Sequence, residues 1–199
     1  GRALPLVLDV RDEVAVRAAV EQAAAHFGGI DILVNNASAI NLSKAADTSA
    51  KRYDLMMDIN VRGTFMCSQA CIPYLEKATN PHILVLSPPI NLDVKWFAHH
   101  AAYTTSKYAM SMLALGLAAE LRGQGVAVNA LWPRTLIATA ALNAVGSHLG
   151  TMGRTPEIMA DAAWHILTQD SRQVSGQLFV DETVLREAMA LARRGAASY

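Results

Sequence analysis

Five short runs of consecutive apolar residues punctuate this chain, each separated from the next by a longer stretch whose apolar positions recur at helical spacing. The runs are "LPLVLDV" (4–10), "IDILVNNA" (30–37), "HILVLS" (82–87), "VAVNALWP" (126–133) and "GQLFVDE" (176–182). A strand that is apolar on both faces must be covered on both faces. The pattern therefore predicts a parallel sheet between two layers of helices, an α/β fold. Helices are predicted over 12–28, from about Lys51 to Ala78, from about Tyr103 to Arg122, over 156–169, and from Val184 to Arg194. Gly28–Gly29 stops the first, and Pro156 opens the fourth. In such sheets ligands bind beyond the carboxyl ends of the strands. Asp9, Asn35 to Ser38, Ser87 and Pro133 to Thr139 all fall at such ends, on four different strands, and the fold would gather them at one edge. No repeat, linker or low-complexity segment breaks the pattern, so residues 1–199 are read as one domain, with a C-terminal helix and mobile tail over 183–199.

The chain is 52% hydrophobic and 17% charged, enough apolar material for a buried core and too little charge for disorder. Its 17 basic and 17 acidic residues cancel, so nothing points to nucleic acid or an anionic membrane surface. The longest apolar runs fall short of the roughly 18 residues a membrane helix needs. No signal segment is visible, and a cytoplasmic location is expected. Cys67 and Cys71 lie one turn apart on a predicted helix, a spacing that suits close packing in a reducing compartment. The histidines form no metal-ligand cluster, and no metal site is expected.

Within "AAYTTSKYAM" (101–110), Tyr103 and Lys107 stand four residues apart on one helix face. Alone, that spacing occurs on any long helix and is most often structural. It gains meaning from the motifs around it.

Taken together, "DV" at 9–10, "DILVNNAS" at 31–38, "DINVRGTF" at 58–65, the serine ending "HILVLS", "YTTSK" at 103–107 and "VNALWPRTLIAT" at 128–139 resemble the short-chain dehydrogenase/reductase family. They occur in family order over nearly the whole chain. The double proline after Ser87, the Trp96–Phe97 pair and "NALWP" suggest a narrower branch of it. The resemblance implies a Rossmann-type doubly wound parallel sheet and an oxidoreductase that moves hydride between NAD(P)(H) and a carbonyl or alcohol. Tyr103 would give or take the proton, with the Lys107 ammonium favouring its phenolate. Ser87 would hydrogen-bond the substrate oxygen, and Asn60 would hold a water relaying protons to Lys107. The same resemblance assigns Asp9, Val10, Asn35, Ala37, Tyr103, Lys107, Pro133, Ile137 and Thr139 to the cofactor. Blander readings stay open: Ser87 as a strand terminus, Asn60 as a bridge between helix and strand, Asp9 as a helix cap, and Trp96 and Phe97 as loop anchors.

Several features depart from the family pattern. No strand, glycine-rich turn and helix open the chain to receive a pyrophosphate. The glycines of "GSHLGTMG" (146–153) follow a helical run and read as a lid loop. By analogy the run at 4–10 matches the family's third strand, so the sheet is expected to lack its first two strands, in a domain incomplete at its N-terminus. With them goes the residue that separates NAD from NADP, and the choice stays undecided. Ser87 and Tyr103 are more widely spaced than is usual, Arg134 stands where glycine normally follows the proline, and "VDE" (180–182) lacks a glycine pair. The loop 88–99 and the segment 136–153 are expected to form the substrate pocket. Their Ile90, Leu92, Trp96, Phe97, Leu136, Leu142 and Met152 suggest an apolar or lipid-like substrate. A homodimer or homotetramer is expected, with Ala70, Cys71, Ala109, Ala114, Gly116 and Ala118 allowing close helix packing. The competing expectation is a non-catalytic dimerisation or binding module that has kept the fold and lost the cofactor.

Overall fold

A computed structural model describes residues 1–140 and 153–196. Four parallel strands, β1 (Ile32–Asn35), β2 (His82–Val85), β3 (Ala127–Trp132) and β4 (Leu178–Val180), pair in sequence order. Val34 sits opposite Leu84, Leu84 opposite Asn129, and Ala130 opposite Leu178. Strand side chains alternate between the two faces, and here both faces are covered. Ile83, Val85, Val128 and Ala130 pack into one core with Cys71, Leu75, Met110, Ala114 and Leu117. Leu84 and Leu131 point the other way, against Ala162, Ile166 and Val184. This two-sided burial is why the strands read as unbroken apolar runs, and it fits the predicted parallel α/β sheet.

On the first face lie α1 (Glu13–Phe27), a long rod over 50–75, and α4 (Ala101–Glu120); on the second lie α5 (Glu157–Leu167) and α6 (Asp181–Ala196). The α1 ends follow capping chemistry. Asp12 accepts the Ala15 N–H at 3.0 Å, and Gly28 closes the helix at φ 88°, donating to Ala24 O. The rod is α2 (Ala50–Met56), a π-helical segment Met57–Gly63 and α3 (Thr64–Leu75). Such wide turns are rare and cluster at functional sites. This one carries Asn60 fully buried, and it needs glycine at 63, where a Cβ would lie 2.9 Å from Val10 Cγ2.

Three expectations need correction. The run at 4–10 is not a strand, and Val7 is fully exposed. A strand exists only through its hydrogen-bonded neighbour, and among the described residues no strand lies beside this segment. Second, Asp9 does not cap α1, because Asp12 does. Third, of the six small residues expected to allow close helix packing, Cys71, Ala114 and Ala118 pack into the core against the sheet and Ala70 is also buried, so these four are closed to a partner, while Ala109 is half-buried and Gly116 exposed. The large apolar side chains that α3 and α4 leave exposed are Phe65, Met112 and Leu115. The predicted last helix extends past Arg194 to Ala196, while residues 197–199 and most of the 146–153 loop, with Leu142 and Met152, lie outside the described residues. Among the described residues no helix is long and apolar enough to cross a membrane.

Candidate active site

The site forms where the carboxyl ends of β2 and β3 meet the first turns of α4. Three side chains of α4 fasten the loop 88–99 over it. Ser111 Oγ donates to Pro88 O at 2.6 Å, Tyr108 OH to Asn91 O at 2.8 Å, and Thr104 Oγ1 to Trp96 O at 2.7 Å. Phe97 stacks edge-on against Tyr108, with ring centroids 5.3 Å apart. Phe97 is thus a loop anchor, whereas Trp96 faces the space beneath. That space is a cavity of about 470 Å³ whose wall includes Pro88, Pro89, Trp96, His100, Tyr103, Lys107, Trp132 and Leu136. Its wall is largely apolar and aromatic with a few polar groups, the usual make-up of a small-molecule site. Ile90 and Leu92, expected in the pocket, point to solvent.

Tyr103 and Lys107 both line this cavity. The Lys107 ammonium is buried, donates to Leu86 O at 3.1 Å, and lies 5.5 Å from the centre of the Trp132 ring. Burial pulls its pKa down to about 8 and pushes that of the Tyr103 phenol up to about 12. Burial thus favours Tyr103 as a neutral phenol, where the sequence resemblance has the Lys107 ammonium favour its phenolate.

Ser87 lies two residues past the end of β2 and is fully buried, with no hydrogen-bond partner for its Oγ. Buried hydroxyls are rarely left so. It precedes Pro88 of the cavity wall and does not itself line the cavity. Asn60 spends its side chain structurally. Its Oδ1 accepts the Ala39 N–H at 2.7 Å, and its Nδ2 donates to Ala39 O and to Ser106 Oγ, both at 2.9 Å. Asn60 thereby ties the rod to the loop after β1 and to α4 beside Lys107, linking helix to loop and helix where the sequence offers a bridge from helix to strand. Its own carbonyl accepts from Thr64 Oγ1 at 2.6 Å.

The residues assigned to the cofactor divide. Asn35 is buried and donates to Ser68 Oγ at 3.0 Å, while Ala37 is exposed just beyond β1. Pro133 and Ile137 are half-buried in the loop after β3, and Thr139 is exposed at its end. Asp9 and Val10 stand apart on the N-terminal arm. The exposed Asp9 carboxylate is forked by the Arg11 guanidinium, which holds its pKa at about 2. Trp132, His100 and Ser106 were given no role from sequence. Trp132 had a usable signal, standing at a strand's carboxyl end beside Pro133. Ser106 had adjacency to Lys107.

The donors present suit the nicotinamide end of a dinucleotide. Ser87 Oγ is unpaired, and the Lys107 ammonium has one oxygen and one sulfur partner, Leu86 O and Met110 Sδ. The pyrophosphate end is different. The glycines with positive φ, Gly28, Gly29, Gly125 and Gly176, all precede strands, at the sheet edge opposite the site. No glycine-rich phosphate cradle exists among the described residues.

Comparison with known proteins gives the same picture. The family profile described as short chain dehydrogenase matches residues 1–150. Hydroxysteroid dehydrogenase-like protein 2 of Danio rerio is 55% identical over 188 residues, covering 94% of this chain and 45% of that protein. The Homo sapiens protein of the same name is 53% identical, covering 94% and 44%. This agrees with the narrower branch suggested by the Pro88–Pro89 and Trp96–Phe97 pairs. The chain spans less than half the length of these curated relatives. The crystal structure of a short chain dehydrogenase from Mycobacterium thermoresistibile superposes with a TM-score of 0.87 at 50% identity, covering 94% of this chain and 67% of that one. With three quarters of its length matched by the profile, the chain belongs to the short chain dehydrogenase family.

Proposed function

We propose that this chain carries the catalytic centre of an oxidoreductase that interconverts a carbonyl and an alcohol with NAD(P)(H), on an apolar or lipid-like substrate. The observation that carries the reading is the meeting of a neutral Tyr103 phenol and a buried Lys107 ammonium in one apolar cavity, with the unpaired, buried Ser87 preceding Pro88 of its wall in the chain. A nicotinamide ring supplies or accepts the hydride. The Ser87 hydroxyl donates a hydrogen bond to the substrate oxygen and stabilises charge growing there. Tyr103, protonated at neutral pH, gives its phenolic proton to that oxygen in the reducing direction. Lys107, mostly charged at neutral pH, holds a positive field next to the phenol and offers its remaining donors to the ribose. Trp96, Trp132 and Leu136 exclude water from the reacting atoms and accept an alkyl body. By family resemblance, the protein works as a homodimer or homotetramer.

The competing reading is a binding module without chemistry. It is favoured by the Lys107 ammonium being engaged by Leu86 O. Tryptophan fluorescence separates the two. Trp96 and Trp132 line the cavity and Trp164 is exposed on α5, so bound NADH or NADPH quenches two of three indoles in the enzyme. No saturable quenching by either nucleotide would favour the module.

A further inference from the structure

Two departures from the family pattern, Arg134 after Pro133 and the acidic "DE" after Val180, meet in space. Arg134 Nε lies 3.3 Å from Glu182 Oε2 on the surface. Beneath them is a partly buried pair: Arg154, its side chain 28% exposed, donates to Asp181 Oδ2 at 2.7 Å, with the Asp181 side chain fully buried. The other oxygen of Asp181 accepts the backbone N–H of Arg134 at 2.9 Å and of Glu182 at 2.7 Å. Arg154 reaches further along the same loop, donating from Nε to Thr135 Oγ1 at 2.6 Å. Its backbone forms a parallel bridge with Ile137, in which Ala138 N–H donates to Arg154 O and Arg154 N–H to Leu136 O, both at 2.8 Å. The approach is so close that a Cβ on Gly153 would sit 2.5 Å from the Ala138 nitrogen.

Residues 134, 135, 136 and 138 are therefore each hydrogen-bonded to Asp181 or Arg154. An ion pair with its carboxylate buried is weak evidence for stability, since desolvation offsets attraction, and a role in fixing geometry is its better-attested use. The loop it fixes contributes Leu136 to the cavity wall. It also carries Pro133, Ile137 and Thr139, assigned to the cofactor by resemblance. We propose that Asp181 and Arg154 are positioning residues that hold the loop 133–138 against the nicotinamide end of the site, with Arg134–Glu182 as an outer fastening. The positioning role rests on the nicotinamide reading above.

Hydrogen exchange and nucleotide titration on the purified protein test it, with Asp181→Asn and the more accessible Arg154→Gln as independent variants. The expected result is faster exchange of the Arg134 and Ala138 amides, with β2 and β3 amides unchanged, and a tenfold or larger rise in the NADH or NADPH dissociation constant. At saturating nucleotide kcat should change less than threefold, a split that general destabilisation would not give. Unchanged loop exchange in both folded variants would overturn the clamp and leave the nicotinamide reading intact. Loosened loops in a protein whose wild type binds neither nucleotide would overturn that reading and the positioning role with it.

Discussion

The Lys107 ammonium donates to the Leu86 carbonyl at 3.1 Å, at the point where β2 gives way to the Ser87–Pro88–Pro89 loop. That bond holds a cation inside the protein, next to Trp132, at a cost that its depressed pKa makes visible.

Stability should record the cost. The unfolded lysine stays protonated up to about pH 10.5, while the folded one loses its proton near 8, so the folded state binds fewer protons between these values. Stability therefore rises with pH from about 8 to 10; above 10 the raised Tyr103 pKa acts in the opposite direction, and stability falls towards 12. The shift corresponds to about 3 kcal/mol at most, partly offset by the Leu86 hydrogen bond. Lys107→Met should thus be about 1 kcal/mol more stable at pH 7, lose the rise between pH 8 and 10, and lose turnover. Thermal melts over that pH range check this.

Ser87→Ala removes a buried hydroxyl that has no partner. Its melting free energy should stay within about 1 kcal/mol of wild type or improve, because no hydrogen bond is broken. Turnover should fall about 100-fold through loss of the oxyanion donor. A variant with full turnover would return Ser87 to a strand terminus.

Asn60→Ala should do the opposite. Removing the side chain takes a partner from the half-buried Ala39 backbone groups and one partner from Ser106 Oγ, which keeps its bond to Tyr103 O, and costs about 1–3 kcal/mol by chemical denaturation. An Asn60 that only held a relay water would leave stability unchanged.

Much of this was legible before any coordinates. The runs at 82–87 and 126–133 are apolar at successive positions because Leu84 and Leu131 face α5 and α6 while Ile83 and Val128 face α3 and α4. Tyr103 and Lys107 stand out through the motifs around them, and their helical spacing puts both on the wall of the cavity. The run at 4–10 is as apolar as the real strands but has no strand beside it among the described residues, and composition does not report pairing. Small residues on α3 and α4 mark close packing without saying against what: Cys71, Ala114 and Ala118 pack into the core, while Gly116 stays exposed. The π segment, the Asp181–Arg154 pair and the sign of the Tyr103 shift depend on burial and long-range contact, which no local window contains.

The central claim, that Tyr103 is the proton donor of a nicotinamide-dependent carbonyl reduction, is tested most directly by following NADH and NADPH oxidation with a panel of apolar ketones and aldehydes. Wild type and Tyr103→Phe should be compared, with nucleotide binding measured in parallel by tryptophan quenching. Nucleotide binding retained in both, with turnover at least 100-fold lower in Tyr103→Phe, is the predicted result. Equal turnover in the two proteins, or none in a wild type that binds neither nucleotide, would contradict it.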